Sequence, residues 1–156
     1  MKKEELVKIL RDRNLTISTM ESCTGGSLAG EITNVSGASE VFCLGLVTYS
    51  TDMKIKMGVP KTIIDEYTVY SIETANEMSK GICNISGSDI GVGTTGVIGR
   101  KDPNNKEAKV NLVYVSIYFK NINEFKNITM EVKSDLRVNC KEEIIQKIVE
   151  KLISTI

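Results

Sequence analysis

The sequence predicts an α/β fold in which helices cover both faces of a mixed sheet. Three observations carry this. Short apolar runs rich in β-branched residues alternate along the chain with segments of helical spacing, the pattern of a sheet with a helix layer on each side. The last two strand-like runs are joined only by Lys120 to Glu124, which makes them an antiparallel hairpin and the sheet mixed. The chain has 156 residues, enough for one domain to bury a core without disulfide staples.

Glu4 to Arg13 place Leu6, Val7, Ile9 and Leu10 on one side at helical spacing. Leu15 to Met20 reads as a strand, and Thr24 to Thr33 as the helix after it. Asn34 to Ser39 carries loop residues. Val41 to Ser50 is apolar and partly β-branched, as suits a buried strand. A short helical piece follows, with Gly58 near its end, and Pro60 opens another. Ser71 is a suitable N-cap for a helix with Ala75, Met78, Ile82 and Ile85 on its apolar face. Asp89 to Thr95 is a strand, and a polar loop runs from Gly99 to Lys109. Val110 to Phe119 and Phe125 to Val132 form the hairpin. The last helix begins near Asn139, with Glu142 as a capping-box partner, and turns Ile144, Ile145, Ile148, Val149, Leu152 and Ile153 to one face.

Composition excludes several kinds of function. Twenty acidic and twenty basic residues cancel, which gives no electrostatic reason to bind nucleic acid or an anionic membrane. The four cysteines are scattered and form no C-x-x-C pair, the usage of free thiols in a reducing compartment. The charged start Met1-Lys2-Lys3-Glu4-Glu5 lacks the apolar core of a signal peptide. A cytoplasmic location is therefore expected. There is no histidine, so a Ser-His-Asp triad, a Cys-His pair and a histidine-ligated metal are all excluded. Acyl-transfer chemistry would have to take its base from lysine, tyrosine, a carboxylate or water.

Three predicted strand ends carry polar residues, and strand ends of an open α/β sheet meet at one edge, where ligands bind. The first is Glu21-Ser22-Cys23-Thr24-Gly25-Gly26. There Ser22 or Thr24 can cap the next helix, and Ser22 can equally hold an anion or act as nucleophile. Cys23 is a second possible nucleophile, disfavoured because nothing nearby would make its thiolate. The second end is Thr48-Tyr49-Ser50-Thr51-Asp52-Met53-Lys54. Lys54 is either an ordinary surface lysine or a desolvated base. The third is Thr94-Thr95-Gly96, whose hydroxyls can meet a ligand or make a turn. The loop Arg100-Lys101-Asp102-Pro103-Asn104-Asn105 offers two cations to a phosphate, or is a solvated turn.

Together these residues resemble the C-terminal domain family of CinA, which in stand-alone form is nicotinamide mononucleotide amidohydrolase. The resemblance runs through Glu21 to Gly26, Val35-Ser36-Gly37-Ala38-Ser39, Tyr49-Ser50 with Lys54, and Gly58-Val59-Pro60. It continues through Glu73, Ala75 and Met78 into Thr95-Gly96-Val97-Ile98-Gly99, in family order and spacing. It implies a single domain over residues 1–156, folded as a three-layer α/β/α sandwich with a mixed, mostly parallel sheet. It implies hydrolysis of a pyridine-nucleotide carboxamide to carboxylate and ammonia, with no metal and no cofactor. Ser22 would be the nucleophile, Lys54 the base and Tyr49 its assistant. Cys23, Thr24, Gly25, Gly26, Thr95, Gly96, Arg100 and Arg137 would bind substrate. The expected partners are a small nucleotide and a second copy of the chain, with the apolar helix face available to share. The charged loop Arg100 to Asn105 replaces a glycine-rich one in the family, which leaves open an amide of another ribonucleotide, or binding without catalysis.

Overall fold

The computed structural model describes residues 1–156. In chain order the elements are α1 (Lys2–Asp12), β1 (Ile17–Glu21), α2 (Ser27–Thr33), β2 (Phe42–Val47), α3 (Thr51–Lys56) and α4 (Lys61–Tyr67). They continue with α5 (Ile72–Ser86), β3 (Ile90–Gly96), β4 (Leu112–Phe119), β5 (Glu124–Glu131) and α6 (Arg137–Thr155). The five strands form one sheet in the order β2-β1-β3-β4-β5. Strand β1 pairs in parallel with β2 and β3, and β4 runs antiparallel to both its neighbours. Only β4 therefore points the other way, so the sheet is mixed with most strands codirectional.

The strand period of two divides the core between two faces. Ile17 of β1, with Val92, Val113, Val115 and Ile117, packs against α1, α2 and α6 through Leu6, Leu10, Leu28, Ile144, Ile148 and Leu152. Met20 faces the other way and packs with Val59, Met78 and Ile82 of the α3–α5 side. The result is three layers. Helix α5 lies hard on β3, because a Cβ at Gly91 would sit 2.0 Å from the Ser79 carbonyl oxygen. That approach also lets the Ser79 and Ser116 hydroxyls meet at 2.9 Å in the seam. No helix is long and apolar enough to cross a membrane.

Several expectations need correction. Strand β2 lies at a sheet edge and alternates between half-buried and exposed positions, so it is not the buried strand its apolar run suggests. Helix α2 starts at Ser27 rather than Thr24, because the intervening residues form a turn. Ile85 of α5 is exposed, since the helix outruns the sheet there. Helix α6 begins at Arg137 with no side-chain cap, and Glu142 does not close a capping box. The neighbouring Glu143 instead accepts the Lys133 and Ser134 N–H groups at 3.0 and 2.9 Å, fixing the approach to the helix. The apolar face of α6 is spent on the chain's own core. It is not free for a second copy, so that ground for expecting a homodimer is withdrawn.

Candidate active site

Because β1, β2 and β3 are parallel neighbours, their carboxyl ends fall at one edge of the sheet. Glu21 pairs with Val47 on one side and Thr94 on the other. The residues just beyond those three strands are thereby neighbours. Past Glu21 the chain turns sharply at Gly25 and Gly26, with φ of 62° and 93°, a region that strains residues with a Cβ. Ser22 stays in the sheet's hydrogen-bonding pattern. Its N–H donates to the Thr94 carbonyl at 3.0 Å and approaches the Thr94 hydroxyl at 3.3 Å.

Glu21 settles the question of what caps α2. Its fully buried carboxylate accepts the Leu28 N–H at 2.9 Å and the Ala29 N–H at 3.0 Å. Thr19 donates to the same carboxylate at 3.3 Å. The helix N-terminus is therefore satisfied from the preceding strand, by a negative charge where the helix dipole favours one. Neither Ser22 nor Thr24 caps it, and its first turn is not an open anion site. The sequence signal was a glutamate at a strand end followed within a helical turn or two by a helix start. Glu21→Gln removes the charge and one acceptor oxygen, and is expected to lower stability by about 1–3 kcal/mol. Urea unfolding followed by far-UV circular dichroism checks this; an unchanged midpoint would show the cap to be dispensable.

Freed from capping, the Ser22 hydroxyl meets Lys54. The Lys54 Nζ lies 2.9 Å from Ser22 Oγ, 2.8 Å from the Thr48 carbonyl and 3.4 Å from the Tyr49 carbonyl. Local folding puts it there. Ser50 caps α3 by accepting the Met53 N–H at 3.2 Å, and Lys54 lies one turn in, directed back over the end of β2. Lys54 is only 2% exposed and no carboxylate pairs with it. Burial lowers its pKa from 10.5 to about 8, because desolvation penalises the ammonium. The neutral fraction, a minority near pH 7 and the majority above about pH 8, can take a proton from Ser22. The adjacent Cys23 thiol is pushed the other way, up to about 12, chiefly by burial. It is the weaker nucleophile of the two.

A cleft of about 520 Å³ opens over this pair. Cys23, Gly96, Arg100 and Arg137 line it together with Ser22, Lys54 and Tyr49. Other expected contacts are corrected. The Thr24 hydroxyl is buried 2.7 Å from that of Thr94, and Gly25 and Gly26 shape the turn without lining the cleft. Thr95 is fully buried and donates to the Val69 carbonyl at 2.7 Å, so it holds a wall residue instead of meeting a ligand. Tyr49 is 63% exposed, and its hydroxyl accepts from Arg137 Nη2 at 3.4 Å. No hydrogen bond joins that hydroxyl to Ser22 or Lys54; only the Tyr49 carbonyl reaches the lysine. Tyr49 thus belongs to the rim, beside Arg137, which also donates to the Ile98 carbonyl. Sequence reasoning missed Tyr70, which lines the cleft and donates its hydroxyl to Asp102.

Comparison with known proteins agrees with this architecture. The family model described as the CinA C-terminal domain matches residues 1–156. A putative competence-damage inducible protein of Clostridium novyi (strain NT) is 48% identical over 118 residues, 75% of this chain and 28% of that protein. A CinA-like protein of Kosmotoga olearia is 45% identical over 116 residues, 74% of this chain and again 28% of the relative. The matched region thus spans little more than a quarter of these relatives. Among solved structures, the competence/damage inducible protein CihA of Agrobacterium tumefaciens aligns with a TM-score of 0.84 at 29% identity, covering 99% of this chain and 95% of that one. A competence-damaged protein (CinA) superfamily protein of Escherichia coli aligns with a TM-score of 0.90 over 99% of this chain and 88% of that one; at 21% identity it speaks for the fold alone.

Proposed function

Since the chain belongs to the CinA C-terminal domain family, we propose that it hydrolyses the carboxamide of nicotinamide mononucleotide to the carboxylate and ammonia, with Ser22 as nucleophile and Lys54 as base. The observation that carries this reading is the 2.9 Å contact between Ser22 Oγ and a Lys54 amine that burial drives toward its neutral form. Neutral Lys54 takes the Ser22 proton as Oγ adds to the carboxamide carbon. The resulting ammonium returns that proton to the amide nitrogen as the carbon–nitrogen bond breaks. Ammonia departs and an ester on Ser22 is left. Water, deprotonated by the same lysine, then cleaves the ester and regenerates the hydroxyl.

The oxyanion needs a donor that is not already spent. Ser22's own N–H is committed to Thr94. Cys23, next along the turn, lines the cleft, and its N–H donates to no backbone carbonyl. One such donor contributes about 3–4 kcal/mol to the transition state. Arg100 and Arg137 line the cleft and are the cations that would hold the phosphate, since the first turn of α2 is closed by Glu21. The nucleotide substrate and the pairing of two copies belong to the same reading and rest on the resemblance, while the cytoplasmic location rests on the scattered free thiols.

The test is ammonia release from nicotinamide mononucleotide and from its riboside. The mononucleotide is expected to show a kcat/KM about 100-fold higher, the loss of roughly two charge-assisted contacts. No ammonia from either compound above a Ser22→Ala control would overturn the reading. Equal rates would remove the phosphate from it.

A further inference from the structure

We propose that Tyr70 is a specificity-determining residue: by occupying the Asp102 carboxylate it keeps Arg100 and Arg137 free for an anionic substrate group. The inference rests on the reading of those arginines as the phosphate-binding cations. Asp102, Arg100 and Arg137 all border the same cleft. A carboxylate among arginines ordinarily pairs with one of them, and a bidentate arginine–carboxylate pair would consume the guanidinium. Here no ion pair of the chain includes Asp102, Arg100 or Arg137. The carboxylate is satisfied otherwise. Tyr70 donates its hydroxyl to Oδ2, and the Asn104 N–H donates to Oδ1 at 2.9 Å. Both oxygens are engaged while both guanidinium groups keep donors for a ligand.

The backbone holds Tyr70 in place for this contact. Thr68 has φ 68° and ψ 172°, a region essentially confined to glycine and costly for a β-branched residue. Three hydroxyls hold the segment against that strain. Ser71, the cap of α5, and Thr74, in its first turn, donate to the Thr68 carbonyl at 3.1 and 2.6 Å. Thr95 donates to the next carbonyl, Val69, at 2.7 Å. Strain retained next to a cleft residue, and clamped from two elements, sets the direction from which Tyr70 reaches the loop. The carboxylate of the charged loop is thus met by a partner from the segment before α5.

Tyr70→Phe releases Asp102 to compete for the arginines. The probe is ribose 5-phosphate, titrated calorimetrically, because it carries the anion and no amide. The single variant is expected to bind it about tenfold more weakly than the unsubstituted protein, the effect of losing one charge-assisted contact. Tyr70→Phe combined with Asp102→Asn removes the competitor, and is expected to restore binding to within about threefold. That rescue separates the proposal from simple loosening of the loop, which the second substitution would not repair. Undiminished binding by Tyr70→Phe, equal weakness of single and double variants, or no binding by the unsubstituted protein would each overturn it. Ribose 5-phosphate binding with the expected rescue, but no ammonia from nicotinamide mononucleotide, would sink the amidohydrolase reading and leave this one standing.

Discussion

Ser22→Ala is expected to reduce kcat for ammonia release from nicotinamide mononucleotide by about 10⁴-fold or more, the scale on which removing a nucleophile acts. No second group is placed to replace it. The neighbouring Cys23 thiol is held near 12 by burial, so its thiolate is scarce at neutral pH. The fold should hardly notice the change. Ser22 Oγ is engaged only by Lys54, and its backbone N–H keeps the Thr94 contacts whatever the side chain. Binding of the mononucleotide should survive as well, because Arg100 and Arg137 are untouched. Activity lost with stability and binding retained is the signature of a nucleophile. A Ser22→Ala protein that still turns over, or one that merely unfolds, would assign the serine a different role.

Lys54→Met is expected to abolish turnover and yet stabilise the protein at pH 7 by about 1–2 kcal/mol. The two effects have one cause. A pKa lowered from 10.5 to about 8 means that folding disfavours the ammonium by about 3 kcal/mol, at 1.36 kcal/mol for each unit. Orphaning the Thr48 carbonyl and the Ser22 hydroxyl returns about 1–2 kcal/mol of that gain. The pH dependence follows from the direction of the shift. Below about 8 the lysine is protonated in both folded and unfolded chains, and the whole penalty is present. Between about 8 and 10.5 the folded chain has released the proton and the unfolded chain still holds it, so the stability of the unsubstituted protein rises with pH. The advantage of methionine should therefore be largest below pH 8 and fade toward pH 10.5. Urea midpoints measured across that range check it; a destabilised variant at pH 7 would show that the lysine contributes more to the fold than its burial costs.

How much of this was readable in the sequence depended on whether the signal was local. The alternation of strands and helices, the hairpin and the apolar face of α6 all come from periodicity, and the sheet has the mixed character they implied. Strand β2 misled because an apolar run does not say whether its two sheet edges are both paired. Ser22 and Lys54 were legible as candidates because both follow strand ends, where a parallel sheet brings residues together. Their contact depends on α3 starting just after Ser50, which a capping serine foretells. Thr95 lies next to a cleft residue, Gly96, and Tyr49 lines the cleft with its hydroxyl on Arg137, because sequence position does not show which way a hydroxyl points. Glu21 capping α2 across the turn, and Tyr70 reaching Asp102 from a distant segment, are tertiary contacts. No periodicity marks them.

The central claim is that Lys54, buried and with its pKa lowered to about 8, activates Ser22 in its neutral form. It is tested most directly by the pH dependence of kcat/KM for ammonia release from nicotinamide mononucleotide between pH 6.5 and 10, which reports ionisations of the free enzyme. The expected profile climbs about tenfold per pH unit and levels off above a bend near the Lys54 value of about 8. A profile that is flat across this range, or that falls as the lysine loses its proton, would contradict the account.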